Sequence, residues 1–163
     1  IFGEPPHAHA AAGWQMNRYA YRLTQRLGFS YCSDTRGSGP YVPIYQAEII
    51  ACPQLPTTLP TLDELIGIGG VNVAEPLRQL SRNRPATGHV YTLHAEVEGM
   101  KLAPVFEKLI EGWRAQGYEM TSLHDYLESL ATRDLPRHEL AAGPVPGRAG
   151  LLALQGREFL SPI

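Results

Sequence analysis

Apolar residues recur at helical spacing in several stretches of the chain. The first begins after Asn17, which offers an N-cap to a helix of about ten residues. Tyr19, Leu23 and Leu27 form an apolar stripe along this helix, and Gly28 is its predicted stop. Three further helices are predicted. The helix over 76–80 opens with a proline, which the first turn of a helix tolerates. The helices over 104–116 and from Ser122 onward have apolar stripes of their own.

Short runs of strand-favouring residues lie between these helices. The clearest is 89–93 (HVYTL), and shorter or less regular strands are predicted over 7–12, 29–33 and 54–59. The tail from Arg133 onward is predicted to be mostly loop, with a terminal strand over 151–154. Strands that alternate with helices predict an α/β fold with a βα-repeating sheet. A closed eight-stranded barrel needs about 250 residues. The chain is therefore predicted to form only part of a barrel, and we expect an upstream segment of roughly 100 residues or more.

Composition narrows the class of protein. Hydrophobic residues make up 44% of the 163 residues and charged residues 18%, which is typical of a globular domain. The net charge of −2 gives no basic surface for nucleic acid, and no apolar run approaches the ~20 residues of a membrane span. Cys32 and Cys52 do not form a disulfide framework, so reduced thiols in a cytoplasm are expected.

The stretch 90–100 (VYTLHAEVEGM) carries the most informative polar residues. It places His94, Glu96 and Glu98 at the end of the clearest predicted strand, on one face if that strand continues. A histidine there can transfer protons near neutral pH, and barrel enzymes hold their active sites at that end of their strands. The alternative interpretation is that these three polar residues only form the solvent-facing side of an exposed strand end.

Two further motifs are candidates for chemistry. His7 and His9 have the spacing of two imidazoles that share a metal on one strand, although this short pattern also arises by chance. Asp34 and Arg36 lie in a loop after a predicted strand, where they either contact a ligand or form an ion pair that shapes the turn.

Four segments in order resemble the polysaccharide deacetylase (NodB-homology) family: AAAGWQMN at 10–17, FSYCSDTRG at 29–37, QLPTTLPTLDELIG at 54–67 and VYTLHAEVEGM at 90–100. A later PGRAG at 146–150 belongs to the same resemblance. The resemblance implies that residues 1–163 are the C-terminal part of a single deacetylase-like catalytic domain with a distorted (β/α) barrel. It also implies a metal-dependent hydrolase that removes a formyl or acetyl group from an amino sugar, carried on a polysaccharide or on undecaprenyl phosphate.

The resemblance also suggests roles for individual residues. His94 matches the family's general acid, and Leu93 matches, more loosely, a hydrophobic wall, with Thr92 two positions before the histidine. Trp14 matches one wall of the substrate groove, and Asp34 with Arg36 matches a second segment at a strand end. Arg148, in a glycine-flanked loop, is a candidate to bind a lipid phosphate.

The departures from the family pattern concern the metal. Its aspartate and His-x-x-x-His ligands lie upstream of the matching region, so we assign no metal ligand here and expect zinc, cobalt or manganese to be bound upstream. Gln15 follows Trp14 where the family has an arginine. Two alternatives stay open: a non-catalytic remnant that binds a sugar or lipid phosphate, and an unrelated metal hydrolase built on His7 and His9. The resemblance implies a cytoplasmic protein, which would contact the inner face of the bacterial inner membrane if its substrate is lipid-linked.

Overall fold

The computed structural model describes residues 3–69 and 74–160. In chain order the elements are β1 Ala8–His9, α1 Arg18–Arg26, β2 Tyr31–Cys32, β3 Val42–Tyr45, β4 Glu48–Ile49, α2 Leu62–Gly69, α3 Ala74–Leu80, α4 Ala95–Glu98, α5 Ala103–Ala115, α6 Leu123–Glu128, β5 Arg137–Gly143 and β6 Leu152–Glu158. Single turns of 3-10 helix span Ala12–Trp14 and Thr132–Asp134. The fold is therefore mixed α/β, and the strands of these described residues do not close into a barrel.

The first unit is a parallel β1-α1-β2 crossover, as the alternation of predicted strands and helices suggested. Ala8 pairs with Tyr31 and His9 with Cys32. The predicted cap of α1 is confirmed, because the Asn17 side chain accepts hydrogen bonds from the amides of Tyr19 and Ala20. Gly28 follows the helix with a φ of +75°, a backbone conformation that glycine adopts without strain.

The apolar stripe of α1 faces solvent. Tyr19, Leu23 and Leu27 are 63%, 48% and 66% exposed, whereas the helix buries Tyr21 and Thr24. Burial of Thr24 is possible because its hydroxyl donates to the Tyr21 carbonyl. Spacing alone located the helix correctly, but it did not identify the face that packs on the strands.

A four-stranded sheet in the order β4-β3-β5-β6 forms the second part of the fold. β3 runs parallel to β5, while β3–β4 and β5–β6 are antiparallel. The prediction of a mostly loop-like tail after Arg133 is wrong for Arg137–Gly143, which forms β5, and β6 is longer than the predicted strand over 151–154. The sequence of β5, RHELAAG, has little intrinsic strand preference. Its pairing with β3 and β6 therefore decides its conformation.

The segment predicted as the clearest strand, 89–93, does not form one. It runs extended beside residues 58–59, where the Val90 carbonyl accepts from the amides of Thr58 and Leu59, and α4 begins directly after His94. Glu96 and Glu98 consequently lie on a helix and not along a strand face. Residues 54–59 make only isolated bridges, through Gln54 and Thr57, as their prolines suggested.

Two apolar clusters form the core. The first packs α2, α3 and α5 together, through Leu59, Leu62, Leu77, Leu109 and Trp113. The second lies under the first crossover and contains Tyr21, Cys32, Ile50, Cys52 and Ala153. The predicted helices over 104–116 and after Ser122 are confirmed, and Ser122 accepts the amide of Asp125 as a cap. Over the described residues, every helix falls short of the length and apolarity needed to cross a bilayer.

Candidate functional site

His94 lies at the start of α4, where its main chain is fixed by a buried carboxylate. The Glu98 side chain, 1% exposed, accepts the His94 amide at 2.9 Å and the Tyr91 hydroxyl at 2.7 Å. Burial, and next the hydrogen bond to Glu98, raise the pKa of Tyr91 well above its ordinary value. The hydroxyl therefore stays protonated and keeps donating to Glu98 over the physiological pH range.

The His94 imidazole faces a second carboxylate, on α2. Its Nδ1 is 3.6 Å from Asp63 Oδ1, which is within ion-pair range but too long for a hydrogen bond. Nδ1 is shielded from solvent and has no hydrogen-bond partner among the described residues, whereas the side chain as a whole is 31% exposed. The exposed part of the ring is therefore the part away from Nδ1.

Trp14 and two arginines form a cluster next to this pair. The Arg36 and Arg148 guanidinium carbons lie 4.7 Å and 5.1 Å from the Trp14 ring centroid. Both arginines also contact one oxygen of Glu64, with Arg36 Nη1 at 2.7 Å and Arg148 Nε at 2.8 Å. Arg148 additionally contacts Asp63 at 3.1 Å. Glu64 and Asp63 thus link the arginines that stack on Trp14 to the histidine.

Trp14 is held in an uncommon conformation. Its φ is +55°, which is rare for a bulky residue and is found where surrounding contacts enforce it. The indole Nε1 donates to Thr57 Oγ1 at 3.3 Å, and that hydroxyl lies 2.6 Å from Thr92 Oγ1. This chain of contacts ties Trp14 to the segment that carries His94.

Gly147 brings Arg148 to the cluster. Its φ is +83°, and a Cβ atom at this position would lie 2.7 Å from the Glu64 carbonyl oxygen. Only a residue without a side chain allows so close an approach. The PGRAG turn therefore packs directly on α2, which places the Arg148 side chain against Asp63 and Glu64.

Asp34 is fully buried in a separate hydrogen-bonded group. Its Oδ1 accepts from the Ala11 amide at 2.9 Å and lies 2.7 Å from His9 Nδ1, while its Oδ2 accepts from Gln54 Nε2 at 3.2 Å. These contacts join the loop before Trp14 to the loop that carries Arg36. Binding of substrate by Asp34 stays a prediction, and the observed contacts are those of a residue that supports the site.

A cleft of about 490 Å³ opens along these residues. Trp14, Thr92, Leu93 and His94 line it, together with the backbone of the small residues before Trp14. Asp34, Arg36 and Arg148 are not among its lining residues. The structure thus brings the predicted wall residues and the predicted proton donor to one cleft, and it places the two arginines against Trp14.

No protein-family model matches the chain. It is 34% identical, over 95% of its residues, to the probable 4-deoxy-4-formamido-L-arabinose-phosphoundecaprenol deformylase ArnD of Shewanella sediminis. It is 32% identical, again over 95% of its residues, to the protein of the same name from Wigglesworthia glossinidia brevipalpis. The chain is a relative of these deformylases. It spans about half the length of these curated relatives, 50% and 54%.

Among the described residues, the side chains that could together hold a metal ion do not line the cleft. They are His9, Cys32 and Asp34, whose donor atoms lie within 4.8 Å of one another. Both Asp34 oxygens are already engaged, one of them with His9, and His7 is not part of the group. This arrangement fits a hydrogen-bonded support better than an ion site.

Sequence reasoning missed Asp63, Glu64 and Tyr91 as members of the site. Asp63 and Glu64 lie in the quoted segment 54–67, but their partners are 31 and 84 residues away in the chain. The usable signal was the Thr61–Glu64 spacing of a capping box, which predicts a helix start there. The Glu64 carboxylate does accept the Thr61 amide at 3.0 Å.

Proposed function

We propose that this protein removes the N-formyl group from an amino sugar linked to polyprenyl phosphate, with His94 as the proton donor. The observation that carries the proposal is the His94–Asp63 pair at a cleft, in a chain that matches deformylases over 95% of its residues. The relatives' names give the substrate class that we extend to this protein. The alternative substrate is a similar sugar that carries an acetyl group, and the assay must distinguish release of formate from release of acetate.

Hydrolysis of a formamide joins water to the formyl carbon and breaks the C–N bond. The nitrogen must gain a proton to leave as an amine, and an imidazolium at the cleft supplies it. Asp63 acts on His94 as a positioning residue, because its carboxylate faces Nδ1 at 3.6 Å and favours one orientation of the ring. Leu93 and Trp14 are proposed to form the walls that hold the sugar.

The two arginines and Asp34 are proposed to complete the groove indirectly. Arg36 and Arg148 fix the Trp14 ring, and Arg148, whose side chain is 20% exposed, is the arginine proposed to contact a substrate phosphate. Asp34 holds the backbone of the loop before Trp14. The earlier expectation that Arg36 itself touches substrate requires a rearrangement, since it is 11% exposed and is bound to Glu64.

We also propose dependence on a divalent metal, with zinc, cobalt or manganese as the candidates. Such an ion would polarise the formamide carbonyl and activate water. Its ligands would have to come from residues other than those described here, and a distorted (β/α) barrel formed with further strands is the proposed setting. We place the reaction in the cytoplasm, at the inner face of the inner membrane where a lipid-linked substrate would lie.

A non-catalytic role in sugar or lipid-phosphate binding is the second candidate. It is favoured by Gln15, which stands where the family has an arginine. The two candidate functions differ in whether the protein hydrolyses the sugar that it binds. Incubation with a polyprenyl phosphate-linked formamido sugar should release one formate per sugar. Binding of the same lipid without formate or acetate release would instead support the second candidate.

A further inference from the structure

A second cavity, of about 330 Å³, opens beside the cleft. Its walls are aromatic and aliphatic, and they include Leu59, Phe106, Ile110, Trp113 and Tyr118. We call this space the apolar cavity. It lies between α5 and the extended segment 89–94, and two residues of the first core cluster, Leu59 and Trp113, are part of its lining.

The apolar cavity adjoins the cleft that holds His94. Both are lined by His89, Tyr91, Leu93 and Thr121. Leu93 is adjacent to His94 in the chain and is 47% exposed. The shared lining puts the two spaces side by side, as an elongated molecule with a polar end at His94 and an apolar end beyond Leu93 would require.

The chemistry of the walls favours a hydrocarbon over an anion. Glu119 is the carboxylate among the lining residues, and the lining contains neither lysine nor arginine. A phosphate inside this cavity would meet the like charge of Glu119 without a lysine or arginine to pair with it. Met120, 45% exposed at the lining, is instead a flexible apolar side chain suited to a hydrocarbon surface.

We propose that the apolar cavity binds the first isoprene units of a polyprenyl phosphate-linked substrate. This inference rests on the proposed function, because it assigns a place to the lipid of that substrate. The sugar lies at His94 and the hydrocarbon beyond Leu93. Each methylene that leaves water strengthens binding about fourfold, so the cavity makes chain length a determinant of affinity.

Two exposed methionines provide a matched test. Met120 lines the apolar cavity, while Met100 is 70% exposed and is not part of its lining. Affinities are measured by tryptophan fluorescence or calorimetry for methyl, geranyl and farnesyl phosphate, and for the neutral alcohol farnesol. In the wild type, affinity should rise at least tenfold from methyl to farnesyl phosphate. Met120→Glu should weaken farnesol and farnesyl phosphate at least tenfold, and Met100→Glu should change both less than twofold.

The outcomes separate this inference from the proposed function. Equal affinity for all chain lengths, or equal losses in the two methionine variants with unchanged melting temperatures, would overturn the hydrocarbon site even if formate is released. The expected chain-length series without any formate release would support the site and refute the deformylase. Farnesol tests the hydrocarbon alone, because no phosphate is present to be repelled by the new carboxylate.

Discussion

Glu64 holds together the cluster that supports Trp14, and its replacement by alanine gives a measurable stability change. Its side chain is 1% exposed and contacts Arg36, Arg148 and the Thr61 amide. Glu64→Ala leaves the Arg36 guanidinium, 11% exposed, without its carboxylate. Removing one partner of a buried ion pair costs about 3–5 kcal/mol. We therefore expect the free energy of unfolding to fall by an amount in this range.

The Arg22–Glu48 pair is the matched control. Both of its side chains are about half exposed, 49% and 51%, and exposed pairs contribute about 0–1 kcal/mol. Urea denaturation of wild type, Glu64→Ala and Glu48→Ala, followed by circular dichroism, measures the change in the free energy of unfolding for each variant. The comparison is valid where the dependence of that free energy on urea concentration is the same in all three proteins. A third variant, Arg36→Met with Glu64→Leu, removes both charges and should recover part of the loss, because apolar replacement of a whole buried pair is often tolerated.

Similar losses for Glu64→Ala and Glu48→Ala, both below about 1 kcal/mol, would refute this reasoning. They would mean that Arg36 finds water or another acceptor at little cost, so that Glu64 does not fix the cluster. Recovery in the double replacement, by contrast, would show that an apolar pair of similar volume can replace the ion pair at this position.

Two other predictions concern Asp63 and Tyr91. Asp63→Asn should lower kcat with little change in KM, because His94 loses the carboxylate that faces its Nδ1 at 3.6 Å and positions the ring; Asp134→Asn, an exposed aspartate outside the site, should leave kcat unchanged. Tyr91 has a pKa raised by burial and by Glu98, so its contribution to stability is fully present below its unfolded pKa of about 10 and is lost as pH rises above that value. Tyr91→Phe should therefore reduce the loss of unfolding free energy between pH 9 and pH 11 in urea titrations, and an unchanged slope would contradict the assignment.

Local signals in the sequence predicted α1, α3, α5 and α6, but not α2 or α4. Asn17 and Ser122 are caps whose side chains satisfy free amides, and this chemistry is complete within a few residues. The face of α1 was not predictable in the same way. Its exposed stripe of Tyr19, Leu23 and Leu27 has the spacing of a buried one, and only the position of the strands decides which side packs.

Strand predictions failed where pairing is non-local. Residues 89–93 have the composition of a strand, yet they lie beside residues 58–59 with only isolated contacts, because α4 begins at once after His94. The Ala- and Gly-containing β5 has weak local preference but pairs with both β3 and β6. Strand formation there depends on partners that sequence spacing does not reveal.

The sequence allowed several residues of the candidate site to be predicted, but not the contacts between them. The resemblance singled out Trp14, Leu93 and His94, which line one cleft. It did not reveal that Arg36 and Arg148 meet at Glu64, because the three residues come from distant segments. Asp34 matched the family segment equally well, yet burial and three hydrogen-bond partners give it a supporting position.

The most direct test of the account is the effect of His94→Ala on formate release from a polyprenyl phosphate-linked formamido sugar. A positioned proton donor typically contributes about 10²- to 10⁴-fold, so kcat should fall by that factor while KM changes little. The melting temperature and metal content should equal those of the wild type. Near-normal turnover with a lower melting temperature would contradict the central claim, and loss of bound metal would show that His94 is a ligand instead of an acid.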